Sequence, residues 1–276
     1  MSERSILITG CSSGIGHHAA HALAVRGWRV LATCRAEADA ARLRAEGLES
    51  FALDYADEAS VAAGANEALE RTGGRLGALF NNGAYAIPGA VEDLPRGALR
   101  AIFETNLFGV HDLTRRVIPA MRAAGRGRIV NCSSVLGFAA LPWRGAYVAT
   151  KFAMEGLTDV LRMEMRDAPI DVILIEPGPI RTRIRQNSVP HFEAWIDWRA
   201  SPRAAQYEAR LIPRLYAAPK PDRYELGPEA VTRRLVHALE ARRPRPRYFV
   251  TTPTRFAETL RRIAPTRLRD ALLARG

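Results

Sequence analysis

At 276 residues and 47% hydrophobic, the chain is long enough to bury a sizeable core within one α/β domain. Its formal net charge is +11, but the positive residues are nearly all arginine and spread over many segments, which argues against a dedicated nucleic-acid face. No apolar run reaches the length of a membrane span, and the three cysteines are too few and odd in number for a disulfide framework, so a cytoplasmic protein with reduced thiols is expected.

Strand and helix patterns alternate from the first residues, which predicts a parallel sheet covered on both faces. RSILIT reads as a first strand and GIGHHAAHALAVRG as an amphipathic helix ending at Gly27. WRVLATC is a second strand, followed by a charged helix over 36–46. ESFALD is a third strand, and Asp57 opens the next helix. GALFNN is a fourth, followed by a long helical segment over 96–123. GRIVNCSS is a fifth, a helix runs from about Gly145 to Arg166, and IDVILIEP is the sixth. The fold class expected is a Rossmann-type doubly wound parallel sheet in three α/β/α layers. It forms a single domain over 1–276, with no internal repeat or linker.

Two regions break the alternation. The segment 183–226 is rich in Pro, Trp, Tyr and Arg without a clean period, and is too long for an ordinary connection; an excursion covering the substrate is expected. Its aromatic residues, with Trp143, either wall an apolar pocket or pack the excursion onto the body. The remainder, 227–276, reads as helix, short strand and a basic amphipathic tail broken at Pro265. Arg233 to Arg275 is the densest basic stretch. A solvated face is its first reading, and weak attachment to a membrane surface its second.

The junction of the first strand and helix carries Thr9-Gly10-Cys11-Ser12-Ser13-Gly14-Ile15-Gly16. Gly10 permits a tight turn, Gly14 lets backbone approach a ligand, and Gly16 allows close helix packing; the helix N-terminus then offers N–H groups to a pyrophosphate. The second strand ends Thr33-Cys34-Arg35, where an acidic residue would repel a 2′-phosphate. Arg35 is a bidentate phosphate donor, which favours NADP(H) over NAD(H). Asp54, at the expected end of the third strand, accepts from an adenine amino group or caps a turn.

Asn131 to Glu155, NCSSVLGFAALPWRGAYVATKFAME, carries the expected chemistry. Tyr147 and Lys151 are four apart on one helix face, and Ser134 lies at a strand end, where open α/β sheets place their ligand crevice. A hydroxyl, a phenol and an ammonium brought together there can donate a proton to a carbonyl oxygen. Lys151 is expected to lower the phenol pKa from its free value of about 10. A purely regulatory or redox-sensing nucleotide-binding protein would have no need of this set. His17 and His21 lie one helical turn apart, but the sequence shows no third ligand near them and no metal is expected.

Together these motifs resemble the short-chain dehydrogenase/reductase family over Ile6 to Thr182, closest to its hydroxysteroid and retinol dehydrogenase-like branch and to bacterial NADP-dependent aldehyde and ketone reductases. The resemblance maps the family's Asn-Asn-Ala-Gly element onto Asn81-Asn82-Gly83-Ala84, with the last two residues inverted, a departure that predicts slight crowding of the cofactor ribose by the Ala84 methyl. It further implies that Asn106 positions a water for Lys151, that Lys151 also holds the nicotinamide ribose, and that Pro177, Gly178, Ile180 and Thr182 receive the carboxamide. It implies a hydride transfer between NADP(H) and a hydrophobic carbonyl or alcohol with Tyr147 as general acid and base, in a homodimer or homotetramer.

Overall fold

The structure, a computed structural model, describes residues 4–217 and 223–274. Residues 218–222 of the excursion and Arg275 of the basic tail lie outside the described residues.

Seven strands form one sheet: β1 (Ser5–Ile8), β2 (Arg29–Cys34), β3 (Glu49–Ala52), β4 (Ala78–Asn81), β5 (Gly127–Cys132), β6 (Ile170–Glu176) and β7 (Arg247–Phe249). Their order is β3-β2-β1-β4-β5-β6-β7 and every pairing is parallel. The chain winds outward in both directions from β1, so the crossover between β1 and β4 makes a switch point where loops diverge and a crevice opens.

Helices α1 (Gly14–Val25), α2 (Glu37–Ala45), α3 (Glu58–Arg71), α4 (Arg96–Phe103), α5 (Gly109–Ala123) and α6 (Gly145–Glu164) link these strands. Ile6 and Ile8 face a core layer with Ala19 and Leu23 of α1, while Leu7 faces the opposite layer with Val61 of α3 and Leu113 of α5. That alternation is the strand's two-residue period, and burial on both faces explains the unbroken apolar runs.

The expected long helix over 96–123 is interrupted: α4 and α5 are joined by a π-turn at Glu104–Phe108 that contains Asn106. The excursion, without a helical period in sequence, is largely helical: α7 (Ile184–Trp195), α8 (Ala204–Gln206), a π-turn at Tyr207–Leu211 and α9 (Ile212–Tyr216). Its order comes from packing. Phe192, Tyr207 and Leu211 are buried against Ile87 and Ile102 of the body, and such burial sustains helices that propensity alone would not. A bridge between Ile180 and Leu226 closes its base. Helices α10 (Glu229–Glu240), α11 (Thr252–Ile263) and α12 (Thr266–Leu273) complete the fold, with Pro265 separating the last two as expected.

Candidate active site

β5 ends at Cys132, and two residues later Ser134 caps a single 3₁₀ turn, its Oγ accepting from the Leu136 amide at 3.1 Å. The Val135 amide donates to the Pro177 carbonyl at 2.7 Å, tying this turn to the Pro-Gly segment after β6. Tyr147 and Lys151 project from the first two turns of α6 and are both buried. The Lys151 Nζ donates to the Cys132 carbonyl at 2.8 Å and lies 5.5 Å from the Tyr147 ring centroid. Ser134, Tyr147 and Lys151 are thus gathered where β5 ends and α6 begins, with the Ser134 side chain close enough to the phenol to favour its ionised form.

Burial pushes the Tyr147 phenol well above its ordinary value, against the Ser134 hydroxyl and the Arg144 charge, which pull it down. In the chain by itself desolvation outweighs the nearby charges. Burial also lowers the Lys151 ammonium, opposed in part by Cys132 and Glu155. Arg144, three residues before Tyr147, was not singled out by its sequence context. Its own pKa is pulled down by burial and by Arg214 and Arg185. Trp143 beside it adopts φ 66°, in the left-handed region, and packs 4.8 Å from the Tyr207 ring.

Behind Lys151 lies a group of buried charges. Glu155, one helical turn on, and Glu176, at the end of β6, both bond Arg247 of β7, which also holds Asp159 at 2.7 Å. Burial, opposed by Arg247, raises both Glu155 and Glu176. Mutual repulsion adds to this, so the pair holds a proton above the usual carboxylate range. A Cβ on Gly137 would meet Ser133 Oγ at 2.6 Å and Glu155 Oε1 at 2.9 Å, so only glycine lets the Ser134 turn settle over this carboxylate.

Asn106 is fully buried, but its amide is engaged elsewhere: Oδ1 accepts from the Tyr85 amide at 3.1 Å, and Nδ2 donates to the Tyr85 carbonyl at 2.9 Å and Thr150 Oγ1 at 3.2 Å. Among the described residues no hydrogen bond joins it to Lys151; it reaches the site through Thr150, the neighbour of Lys151.

On the cofactor side, Gly10 has φ +69° and Gly14 φ +61°. A Cβ on Gly10 would lie 2.7 Å from the Gly83 Cα, and one on Gly16 2.4 Å from the Gly10 carbonyl oxygen. Asn82 Nδ2 holds the Thr9 and Gly10 carbonyls at 3.0 and 3.3 Å, so its amide shapes the loop. Gly83 sits at the close approach to Gly10 and Ala84 beside it is half-buried, so the inverted order puts the smaller residue where the backbones touch.

Ser13 is the N-cap of α1 without a side-chain cap bond, leaving the first-turn N–H groups for an anion. The Ile15 side chain packs into the core. A cleft of about 1140 Å³ runs along this loop, lined by Ser12, Ser13 and Gly14 on one side and Ile180 and Thr182 on the other; Ser134, Tyr147 and Lys151 do not line it. The Thr182 methyl would stand 3.2 Å from a Cβ on Gly14, and Gly178 is hemmed in by Thr251 and Thr254. Glycines pressed to the limit of contact around an uncapped helix end fit a dinucleotide pyrophosphate.

Arg35 is exposed at the carboxyl end of β2, and its charge is felt by Tyr85 and His191. Asp54 lies two residues beyond β3, not at its end, and Oδ1 caps the turn by accepting from the Ala56 amide at 2.9 Å. A chain of buried hydrogen bonds runs beneath these loops. Tyr55 bonds Thr9 at 2.9 Å and donates to Asn81 at 2.6 Å; Asn81 donates to Asn131 at 2.8 Å; Asn131 donates to Thr158 of α6 at 2.9 Å. It links the glycine loop to the helix carrying Tyr147, and nothing in the local sequence marks Tyr55 for it.

The aromatics of the excursion pack among themselves: Tyr207 is fully buried, donates to Asp93 at 2.7 Å and accepts from the Ala90 amide at 2.8 Å. Packing of the excursion onto the body thus describes Phe192 and Tyr207. Half-buried Leu136, Trp143 and Val189 join that cluster near Tyr147. His191 stacks on Tyr85 with centroids 4.0 Å apart, a second tie between α7 and the body. Cys11 is fully buried, donates to the Ile8 carbonyl at 3.3 Å and has its pKa raised by burial, the features of an inert thiol.

The short chain dehydrogenase family model matches residues 4–192. The chain is 39% identical over 271 residues to the uncharacterized oxidoreductase YbbO of Escherichia coli, covering 98% of this chain and 94% of that protein. It is 32% identical over 285 residues to human 17-beta-hydroxysteroid dehydrogenase type 6, covering 100% and 89%. It is 34% identical over 283 residues to human retinol dehydrogenase 16, covering 98% and 88%. Among solved structures, a short-chain dehydrogenase from Streptomyces avermitilis superposes with a TM-score of 0.80 at 28% identity, covering 99% and 96%. A short-chain dehydrogenase/reductase from Burkholderia phymatum in complex with NAD follows at 0.78 and 28%, covering 99% and 95%. The fold, the glycine cradle and these likenesses together place the chain in the short-chain dehydrogenase/reductase family, as an oxidoreductase of CH–OH groups with a nicotinamide cofactor and relatives among hydroxysteroid and retinol dehydrogenases.

Proposed function

We propose that the protein is an NADP(H)-dependent oxidoreductase that interconverts the carbonyl and the primary or secondary alcohol of a hydrophobic substrate, steroid-like, retinoid-like or a long-chain carbonyl. The observation that carries this reading is the convergence of half-buried Ser134 with buried Tyr147 and Lys151, where β5 ends and α6 begins. Gly10, Ser12, Ser13, Gly14, Ile15 and Gly16 would hold the pyrophosphate. Arg35 would bind a 2′-phosphate, with Asp54, Asn82, Gly83 and Ala84 along the adenosine half. Pro177, Gly178, Ile180 and Thr182 would hold the carboxamide, and Lys151 the ribose. The nicotinamide, when bound, supplies or accepts the hydride.

The residues of the chain handle the proton. Tyr147, kept neutral by burial, donates from its hydroxyl to the substrate oxygen in reduction and takes the proton back in oxidation. Ser134 orients that oxygen by a hydrogen bond. Lys151, anchored by Cys132, keeps a positive charge under the phenol. Asn106 is a positioning residue that fixes Tyr85 and Thr150 around them. The apolar residues Leu136, Trp143 and Val189 favour a substrate with a hydrophobic body.

An exposed apolar stripe on α6, Phe152, Val160 and Met163, supports a homodimer or homotetramer, tested by light scattering of Val160→Arg. Among the described residues no helix is long and apolar enough to cross a membrane. Exposed Phe256 and Ile263 beside Arg255, Arg261 and Arg262 on α11 support peripheral attachment to anionic lipid from the cytoplasm, tested by vesicle co-sedimentation with and without α11 and α12.

The function is tested by following nicotinamide absorbance with a panel of aldehydes, ketones and alcohols, comparing NADP(H) with NAD(H). Turnover that prefers NADP(H) and disappears in Tyr147→Phe is the expected result. Turnover that persists undiminished in Tyr147→Phe overturns the assigned role, and preference for NAD(H) overturns the cofactor.

A further inference from the structure

The sequence places His17 and His21 on one face of α1 but offers no third ligand beside them. The fold brings one. Glu46, the C-cap residue of α2, reaches across so that its Oε2 lies 2.8 Å from His17 Nε2 and 2.8 Å from His21 Nε2. The three donor atoms all lie within 4.8 Å of one another, and the two imidazole rings are 4.6 Å apart between centroids. The side chains are 35%, 37% and 30% exposed, which leaves the point of convergence open to an ion from solvent.

We propose that His17, His21 and Glu46 form a binding site for a late first-row divalent cation, with Zn²⁺ as the type ligand, that staples α1 to α2 beside the glycine loop. Two imidazoles and one carboxylate are the donor set such ions favour, whereas Mg²⁺ and Ca²⁺ call for oxygen ligands. Donors about 2.0–2.1 Å from a tetrahedral ion stand roughly 3.3 Å apart, so each N–O pair opens by about half an ångström, within the swing of exposed side chains. Both imidazoles then carry their proton on Nδ1 and present Nε2 to the ion, and the fourth position is left to water. Arg42 donates to the other oxygen of Glu46 at 2.7 Å and to Asp39 at 3.3 Å, so the carboxylate is oriented from behind with Oε2 turned to the imidazoles.

The site is separate from the proton-transfer residues, yet its ligands belong to the frame of the nucleotide cleft. His17 lines that cleft with Ser12, Ser13 and Gly14, and Arg42 donates to the Ser12 carbonyl at 2.7 Å. An ion joining His17 to Glu46 therefore braces the first turns of α1 against α2.

The test uses the full chain, freed of metal by chelation and titrated with Zn²⁺ by calorimetry and with Co²⁺ by visible absorption, alongside thermal unfolding. Expected are one equivalent of Zn²⁺ per chain, an intense tetrahedral Co²⁺ band and a raised Tm with Zn²⁺. His21→Gln and Glu46→Gln should each weaken binding at least about tenfold and abolish the Tm shift. His111→Gln, on the exposed side of α5, should leave both unchanged. Circular dichroism verifies that the variants are folded. Absence of saturable one-equivalent binding by the folded wild-type chain would overturn the proposal. So would binding that survives intact in His17→Gln/His21→Gln.

Discussion

The ammonium of Lys151 is fastened to the carbonyl of Cys132 at 2.8 Å, so the last residue of a central strand holds the charge that stands beneath the Tyr147 ring. Replacement by methionine keeps the length but removes both the charge and the donor. Lys151→Met should lower kcat by about 100-fold or more, in the range of a lost proton-transfer group, while far-ultraviolet circular dichroism stays unchanged.

The pH dependence should differ with direction. Burial holds the Tyr147 phenol above its ordinary pKa, so the acid form needed for reduction is present across neutrality and is lost only when pH rises through that raised value. The base form needed for oxidation grows over the same rise. Reduction should therefore be flat from pH 6 to 8 (about neutral) and oxidation should climb, as read from kcat/KM profiles in both directions.

Cofactor choice should follow Arg35. A charge-assisted bond to a 2′-phosphate contributes about 1.5–3 kcal/mol, and Arg35→Ala should weaken NADPH binding by roughly 10- to 100-fold with little effect on NADH. Titration of both cofactors by fluorescence checks this, and equal losses for the two would contradict the assignment.

The glycine loop should reject any side chain at its first turn. Gly10→Ala puts a Cβ 2.7 Å from the Gly83 Cα on a backbone with φ +69°. The strain and overlap should destabilise the fold by about 2 kcal/mol or more and weaken cofactor binding, measurable by denaturant unfolding and titration.

The buried carboxylates behind Lys151 give a stability test with an inverted sign. Because Glu176 has a raised pKa in the folded chain, the folded state binds more protons than the unfolded one above the ordinary carboxylate range, and stability falls as pH rises through that window. Glu176→Gln should flatten this fall. Arg247→Met should instead cost about 3 kcal/mol, since it leaves Glu155 and Glu176 without their shared partner.

Periodicity and spacing in the chain were enough to specify the parallel sheet, the glycine turn and the Ser134, Tyr147 and Lys151 constellation, because strand runs, tight turns and helix faces are set by residues close in sequence. Other features depended on contacts between distant segments. The helical form of the excursion arises from Phe192 and Tyr207 burying themselves against Ile87 and Ile102, a source of order that no local period records. The hydrogen-bonded path from Thr9 through Tyr55 to Thr158 joins five separate stretches of chain. The raised pKa of Tyr147 comes chiefly from desolvation, which exists only once the core has closed. Glu46 meets His17 and His21 because α2 folds back beside α1, at sequence separations of 29 and 25. Local sequence thus determined which chemical groups are present and how each is presented on its own element, whereas burial and long-range approach decided their charge states and partners.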